Sequence, residues 1–378
     1  MSLGQFYTPP AAGSWLVEGV GSQSPMHICD LGVGQGELLL AARRRWEQAR
    51  LLAADIDPDN VALARCRLGV AECRHVDALR YDLPSLLGIE EGSIDVALGN
   101  PPYGTMEIRA DHLAILRHAG LGDVISPRRV TRDVVFLAQN LRMLKQGGEL
   151  AIILPEGVAV NPAFEDLRVA LMVRHGLHRV VELPRHLFQG AEARTVAMFL
   201  QKGRVVREIL LENVMGDTVL VPLARACKRL DARYHLLESA TGILLGDIGP
   251  EIQRGALSHA EALALGHTTF HTTTFKHFPR GRVRLGKVPD CPDRWLARAG
   301  DIVIPRVGSR CLAYAAIIER GGAVFTDCVY RIRVRPERRE LVIRALRSLG
   351  GIAYRLTVAH GTCASVVSKT DLLEFPLQ

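Results

Sequence analysis

The chain has 378 residues, 48% of them hydrophobic and 23% charged, enough to bury a sizeable core and long enough for two domains. No apolar run could span a bilayer, no signal-like segment precedes Gly4, and the eight cysteines form neither a CxxC pair nor a zinc-spaced set with histidine. A cytoplasmic protein with reduced thiols, no membrane partner and no metal is expected, and the net charge of +7 leaves an acidic partner open.

The first stretch, Gly4-Gln5-Phe6-Tyr7-Thr8-Pro9-Pro10, could by composition alone be a fraying terminus. His27 to Glu37 reads as a buried strand, a tight glycine turn and the start of a helix running to about Trp46. Gly32 and Gly34 allow positive φ and close backbone approach of a ligand, and Asp30 is placed to take an ammonium group. Dinucleotide-binding proteins use a similar turn. A second strand, Leu51 to Ile56, ends in Asp55, whose carboxylate can accept two ribose hydroxyls while Ile56 packs on an adenine ring. A third ends at Val76-Asp77-Ala78, where Asp77 can accept the amino hydrogens of the same adenine. A fourth, Ile94 to Gly99, delivers Asn100-Pro101-Pro102-Tyr103. In open parallel sheets ligands gather beyond the carboxyl ends of strands, so these four loops should line one crevice.

The tetrapeptide suits methylation of an exocyclic amino group. The N6 lone pair of adenine is delocalised into the ring, so a catalyst must draw on both amino hydrogens while the nitrogen becomes tetrahedral. The Asn100 side-chain oxygen can accept one and the Pro101 carbonyl the other, without a general base. Pro101 and Pro102 fix φ and remove donors, and Tyr103 offers a flat face to a purine. A Pro-rich turn closing a strand would read the same in isolation.

Farther on, Met106 to His118 and Val134 to Lys145 have helical spacing, and Gln146-Gly147-Gly148 separates the second from the strand Glu149 to Pro155. Arg128, Arg129 and Arg132 fall in the loop between those helices, where they could grip phosphates or form a solvated basic loop. A helix over Ala163 to Arg174 and strands over Arg179 to Leu183 and Thr195 to Lys202 complete an alternating α/β half. The boundary falls between Gly203 and Gly246, giving domains at 1–203 and 246–378 with a transition at 204–245. From Arg204 onward there are 26 Lys and Arg against 17 Asp and Glu, compared with 21 against 23 before it, so the basic excess is C-terminal, as phosphate contacts would require. Short strand-like pieces there, Asp301 to Pro305 and Val324 to Val334, alternate with Gly and Pro, and a helical segment spans Pro336 to Leu349.

The Gly4 to Pro10 stretch, the glycine turn, the ordered acids and the Asn-Pro-Pro-Tyr element together resemble the class I S-adenosylmethionine-dependent methyltransferases. More narrowly, they resemble the gamma-class DNA adenine N6 methyltransferases that include type I modification subunits. The resemblance implies a doubly wound, seven-stranded, mostly parallel sheet with its last strand antiparallel. It implies S-adenosylmethionine bound by Asp30, Gly32, Gly34, Asp55, Ile56, Asp77 and Ala78, with Phe6, Tyr7, Thr8 and Pro9 closing over its methionine end. In this family an aromatic preceding the last strand stacks on the extruded base, which assigns Phe188 opposite Tyr103. Residues 300–309 and 360–377 resemble a target-recognition domain of type I specificity subunits, a smaller α+β DNA-binding unit in which Arg306, Arg310 and the Thr-rich stretch 268–274 are candidate contacts.

The implied reaction is site-specific methylation of adenine N6 in double-stranded DNA after base flipping. Enzymes acting on release-factor glutamine or ribosomal-RNA guanine N2 also use Asn-Pro-Pro-Tyr, cytosine N4 enzymes more often have Ser at that place, and an inert specificity or antirestriction protein is a further alternative. One recognition domain fits a monomer or a homodimer, with a restriction or specificity subunit as a possible partner.

Overall fold

The computed structural model describes residues 7–69, 72–126, 130–184, 187, 194–237, 242–308, 310–360 and 364–377. The chain divides into two compact units, Met1–Ala232 and Arg233–Gln378.

The first unit is built on nine strands: β1 (His27–Asp30), β2 (Arg50–Asp55), β3 (Cys73–His75), β4 (Ile94–Gly99), β5 (Leu144–Pro155), β6 (Leu177–Glu182), β7 (Thr195–Gln201), β8 (Glu208–Glu212) and β9 (Thr218–Pro222). Their order is β3-β2-β1-β4-β5-β7-β6-β8-β9. The five strands from β3 to β5 run parallel, and β7 is antiparallel to both β5 and β6. Strand order reverses between β1 and β4, which places the crevice of an open α/β sheet beyond their carboxyl ends.

Alternation within the strands explains why this sheet is covered on both faces. Cys29, Leu52, Ala54, Ala97, Leu150, Ile152, Met198 and Leu200 feed one core, and their neighbours Ile28, Leu51, Ala53, Val96, Leu98, Ala151, Ile153 and Phe199 feed the other. Helices α1 (Pro10–Glu18), α2 (Glu37–Arg45) and α3 (Pro58–Leu68) close the second core with Leu16, Leu39, Ala42, Val61 and Ala64. Helices α4 (Leu83–Leu87), α5 (Ala110–His118) and α6 (Arg132–Met143), with the helix Glu165–Val173, close the first through Leu83, Ile115, Val134, Leu137, Leu141 and Leu171.

The pairing of β1 with β4 is pinned at its amino end. The Asp95 carboxylate accepts the backbone N–H groups of Met26 at 3.0 Å and His27 at 2.7 Å and also pairs with the Lys145 ammonium. From there the register runs Ile28 to Val96, Cys29 to Ala97 and Asp30 to Leu98.

The doubly wound α/β class is as expected, and the structure differs from the sequence reading in three places. The sheet has nine strands rather than seven, because part of the stretch read as a transition, 204–245, alternates with period two and adds Ile209, Leu211 and Val221 to the core. The helix expected to reach Lys145 ends at Met143. Leu144 instead pairs with Ile94, and regular pairing resumes at Val96 with Glu149 after a bulge in which Gly147 takes φ +78°. Helix α5 begins at Ala110 rather than Met106, since Thr105 bridges Thr131 and the Arg109 N–H is received by His112 Nδ1 at 3.1 Å.

The second unit has a five-stranded sheet, β10 (Glu251–Arg254), β17 (Val329–Arg333), β14 (Ile302–Pro305), β15 (Ala316–Arg320) and β12 (Arg282–Arg284), and a three-stranded one, β11 (Thr269–Phe270), β16 (Gly322–Phe325) and β13 (Leu296–Arg298). Ile302, Ile304, Ile317 and Ile332 face a core closed by the helices Arg339–Arg347 and Leu349–Val358, while Val303, Ala316, Ile318 and Phe325 face a second core. The two segments singled out in the sequence meet here: Gly308 N–H donates to the Ser365 carbonyl and Val367 N–H to that of Arg306, each at 2.9 Å. Arg355 is fully buried and donates to the carbonyls of Leu312 at 3.1 Å, Ala313 at 2.9 Å and Gly351 at 3.3 Å, and to that of Leu346.

Candidate active site

The loops at the carboxyl ends of β1 to β4 enclose a cavity of about 660 Å³ lined by Tyr7, Gly32, Gly34, Asp55, Ile56, Asp77, Ala78, Asn100 and Pro102. A small recess of about 30 Å³ is lined in turn by Tyr7, Thr8, Asp30, Gly34 and Asn100. The four sequence motifs therefore converge, as the strand order requires. Arg132, at the start of α6, also lines the cavity, and its N–H donates to the Gly104 carbonyl at 2.9 Å. Pro9 does not line it: it caps α1, with its carbonyl accepting the Gly13 N–H at 3.0 Å. Phe6, Arg128, Arg129 and Phe188 lie outside the described residues.

The three acids differ in setting. Asp30 is 1% exposed and accepts the Gly32 N–H at 3.2 Å. Burial, opposed by that N–H and reinforced by the nearby Asp55 charge, pushes its carboxyl up to about 7. Asp55 receives Gly34 N–H at 2.8 Å and Asp57 N–H at 2.9 Å, and Asn60 Nδ2 approaches it at 3.4 Å. Asp77 accepts Leu79 N–H at 2.9 Å and an Arg109 guanidinium N–H at 3.2 Å. Gly34 has φ +49°, a conformation that favours glycine, and a Cβ there would crowd the Tyr7 ring at 3.3 Å.

At the end of β4 the Asn100 side chain is held at both ends. Its Nδ2 donates to Thr8 Oγ1 at 3.1 Å, and its Oδ1 accepts the Tyr103 hydroxyl at 2.8 Å. Tyr103, read as a stacking face, thus also holds the Asn100 side chain. Burial, with the Asp133 charge nearby, pushes its phenol up, so it stays a protonated donor. Asp133 is 3% exposed, and burial pushes its carboxyl up against the N–H groups of its own residue and Gly104.

Sequence reading missed Asn60, Met106, Glu107, Arg109 and Phe136 in the cavity wall. Asn60 left a signal, a polar residue one turn into a helix capped by Asp57. Arg109 and Met106 left none, since they reach the cavity only through the fold of the loop after Pro102.

In the second unit, Arg306 Nε donates to the Asp327 carbonyl at 2.7 Å, and Arg310 is exposed. His259 and His271 stack at 4.7 Å, the former on Thr269 and the latter on Thr326. No described helix is long and apolar enough to cross a membrane, and among the described residues no His, Cys, Asp and Glu side chains group as a metal site would need.

The chain is similar to the release factor glutamine methyltransferase of Mycolicibacterium smegmatis, 33% identical over 158 residues, which are 39% of this chain and 53% of that protein. It is similar to the type II methyltransferase M.BsuBI of Bacillus subtilis, 23% identical over 250 residues, 58% of this chain and 48% of that one. It thus spans about half the length of these curated relatives. Among solved structures, the type IIG restriction endonuclease BpuSI shares the fold at a TM-score of 0.54 and 14% identity, covering 98% of this chain and 58% of its own. The family model for N-6 DNA methylase matches residues 1–226, more than half of the sequence, and the chain belongs to that family.

Proposed function

We propose that the protein transfers a methyl group from S-adenosylmethionine to the N6 amino group of an adenine flipped out of double-stranded DNA. The observation that carries this reading is the Asn100 amide, fixed at the carboxyl end of β4 on the wall shared by the main cavity and the Asp30 recess.

The residues present fit the cofactor. A carboxylate as buried as Asp30 gains most from an ammonium partner, Asp55 lies where ribose hydroxyls can donate to it, and Ile56, 50% exposed, offers an apolar face to adenine. A cavity of about 660 Å³ is of the size small-molecule sites have. When bound, the cofactor supplies an electrophilic methyl on a sulfonium. Asn100 Oδ1 and the Pro101 carbonyl accept the two amino hydrogens, concentrate density on nitrogen and hold it in line, so alignment contributes much of the rate. Tyr103 and Phe188 stack on the base. Arg132 and the basic second unit, with Arg306 and Arg310, hold phosphates, and that unit reads the target sequence.

Purified protein incubated with methyl-tritiated cofactor and duplex DNA, followed by nucleoside chromatography, tests the assignment. Label in N6-methyl-2′-deoxyadenosine supports it, and no label in DNA removes it. The release-factor relative favours one other reading, methylation of a glutamine amide, which poses the same demand on Asn100 and Pro101. Label in a peptide-release factor and none in DNA would select that reading.

A further inference from the structure

We propose that Thr8 is a positioning residue for the transfer, fixing the Asn100 amide with its oxygen turned to the target nitrogen. The inference rests on the methylation reading and deepens it. An asparagine amide presents two ends of nearly equal size, of which only the oxygen can accept an amino hydrogen. Turned end for end, Asn100 would meet the target amino group with its own N–H, and the clamp would repel what it should capture.

Two hydroxyls bear on the orientation, Thr8 beside Nδ2 at 3.1 Å and Tyr103 beside Oδ1 at 2.8 Å. Hydroxyls donate and accept, so the choice depends on which does each better. A free phenol titrates at about 10 and its lone pair is drawn into the ring, which makes it the stronger donor and the weaker acceptor. An aliphatic hydroxyl is the better acceptor of the two. The lower-energy arrangement therefore has Tyr103 donating to the amide oxygen and Thr8 receiving the amide N–H, which leaves Oδ1 on the side of the residue expected to stack on the base. The arriving amino N–H can then share or replace the Tyr103 hydrogen bond, exchanging one contact for another of similar worth.

Thr8 stands 92 residues before Asn100, so this is a tertiary device rather than a turn. Its neighbour Tyr7 lies against Gly34 of the glycine turn. One dipeptide thus spans the cofactor side of the site and the clamp.

The full chain tests this with Thr8→Val, which keeps the shape and removes the hydroxyl, and Thr8→Ser, which restores it. Calorimetric titration with S-adenosylmethionine and single-turnover transfer to duplex DNA are read on each. Thr8→Val is expected to slow transfer by about tenfold or more while cofactor Kd stays within about threefold, and Thr8→Ser to recover most of the rate. A Thr8→Val protein that loses cofactor affinity but transfers normally at saturation, or a serine variant as slow as the valine one, overturns the assignment. A double-mutant cycle of Thr8→Val and Asn100→Ala in urea denaturation reads the contact without substrate. Additive losses there overturn it too, whereas clear coupling in a protein inert on DNA retires the DNA-methylation reading and leaves the contact standing.

Discussion

The Asp55 carboxylate accepts the Gly34 N–H at 2.8 Å, so the acid that ends β2 holds the glycine turn that follows β1. Asp55→Ala leaves that N–H and that of Asp57 without their acceptor, at a cost of about 1–3 kcal/mol in urea denaturation. Cofactor affinity should fall by at least about tenfold in calorimetric titration, since the turn and the proposed ribose contact are lost together. A variant that binds normally would show that Asp55 is only structural.

Asp30 gives the site a pH dependence. Burial pushes its folded carboxyl up to about 7 from an ordinary value of 3.8, so its contribution to stability is full below about pH 4 and lost as pH rises through about 7. Asp30→Asn should abolish that decline and raise the melting temperature of the ligand-free protein at pH 8. Ammonium binding needs the ionised acid, so cofactor Kd should worsen as pH drops below 7, and the asparagine variant should bind weakly with a flat profile. Titrations at pH 6 and pH 8 decide the matter.

Asn100→Ala removes the clamp oxygen and leaves the glycine turn intact. Methyl transfer should fall by about two or more orders of magnitude, as when a preorganised polar contact is lost, while cofactor binding changes little. Equal rates in the two proteins would reject Asn100 as the acceptor.

Arg355 is a different kind of residue, a buried cation spent on carbonyls. Arg355→Met should destabilise the chain by about 3 kcal/mol or more, because several acceptors lose their donor at once. Arg355→Lys should do little better, since one ammonium cannot fan out to carbonyls from separate segments. Two-probe denaturation with tryptophan fluorescence and circular dichroism measures both.

How much of this was legible in the sequence follows from the range of the forces involved. Alternation in Leu51 to Asp55 and in Ile94 to Gly99 marks strands because side chains two apart share a face, and Asp30, Asp55, Asp77 and Asn100 could be placed together because parallel strands end on one side. Helix ends were less legible. Leu144 fits the apolar stripe of α6 yet pairs with Ile94, a choice made by the neighbouring strand. Arg109 on Asp77, Thr8 on Asn100 and Asp133 near Tyr103 join residues far apart in the chain, and no local periodicity encodes them. Thr8 was read as a cofactor contact, and in the structure its hydroxyl also accepts the Asn100 amide N–H.

Asp95 has a consequence at the far end of its strand. A β-strand advances about 3.3 Å per residue, so a slip of β4 along β1 by two residues would carry Asn100 roughly 6.6 Å away from Asp30 while keeping every side chain on its proper face. Burial alone is indifferent to such an error. The carboxylate that grips Met26 and His27 makes it costly, and so acts as a surveyor's peg: a residue outside the cavity measures out the gap between Asp30 and Asn100.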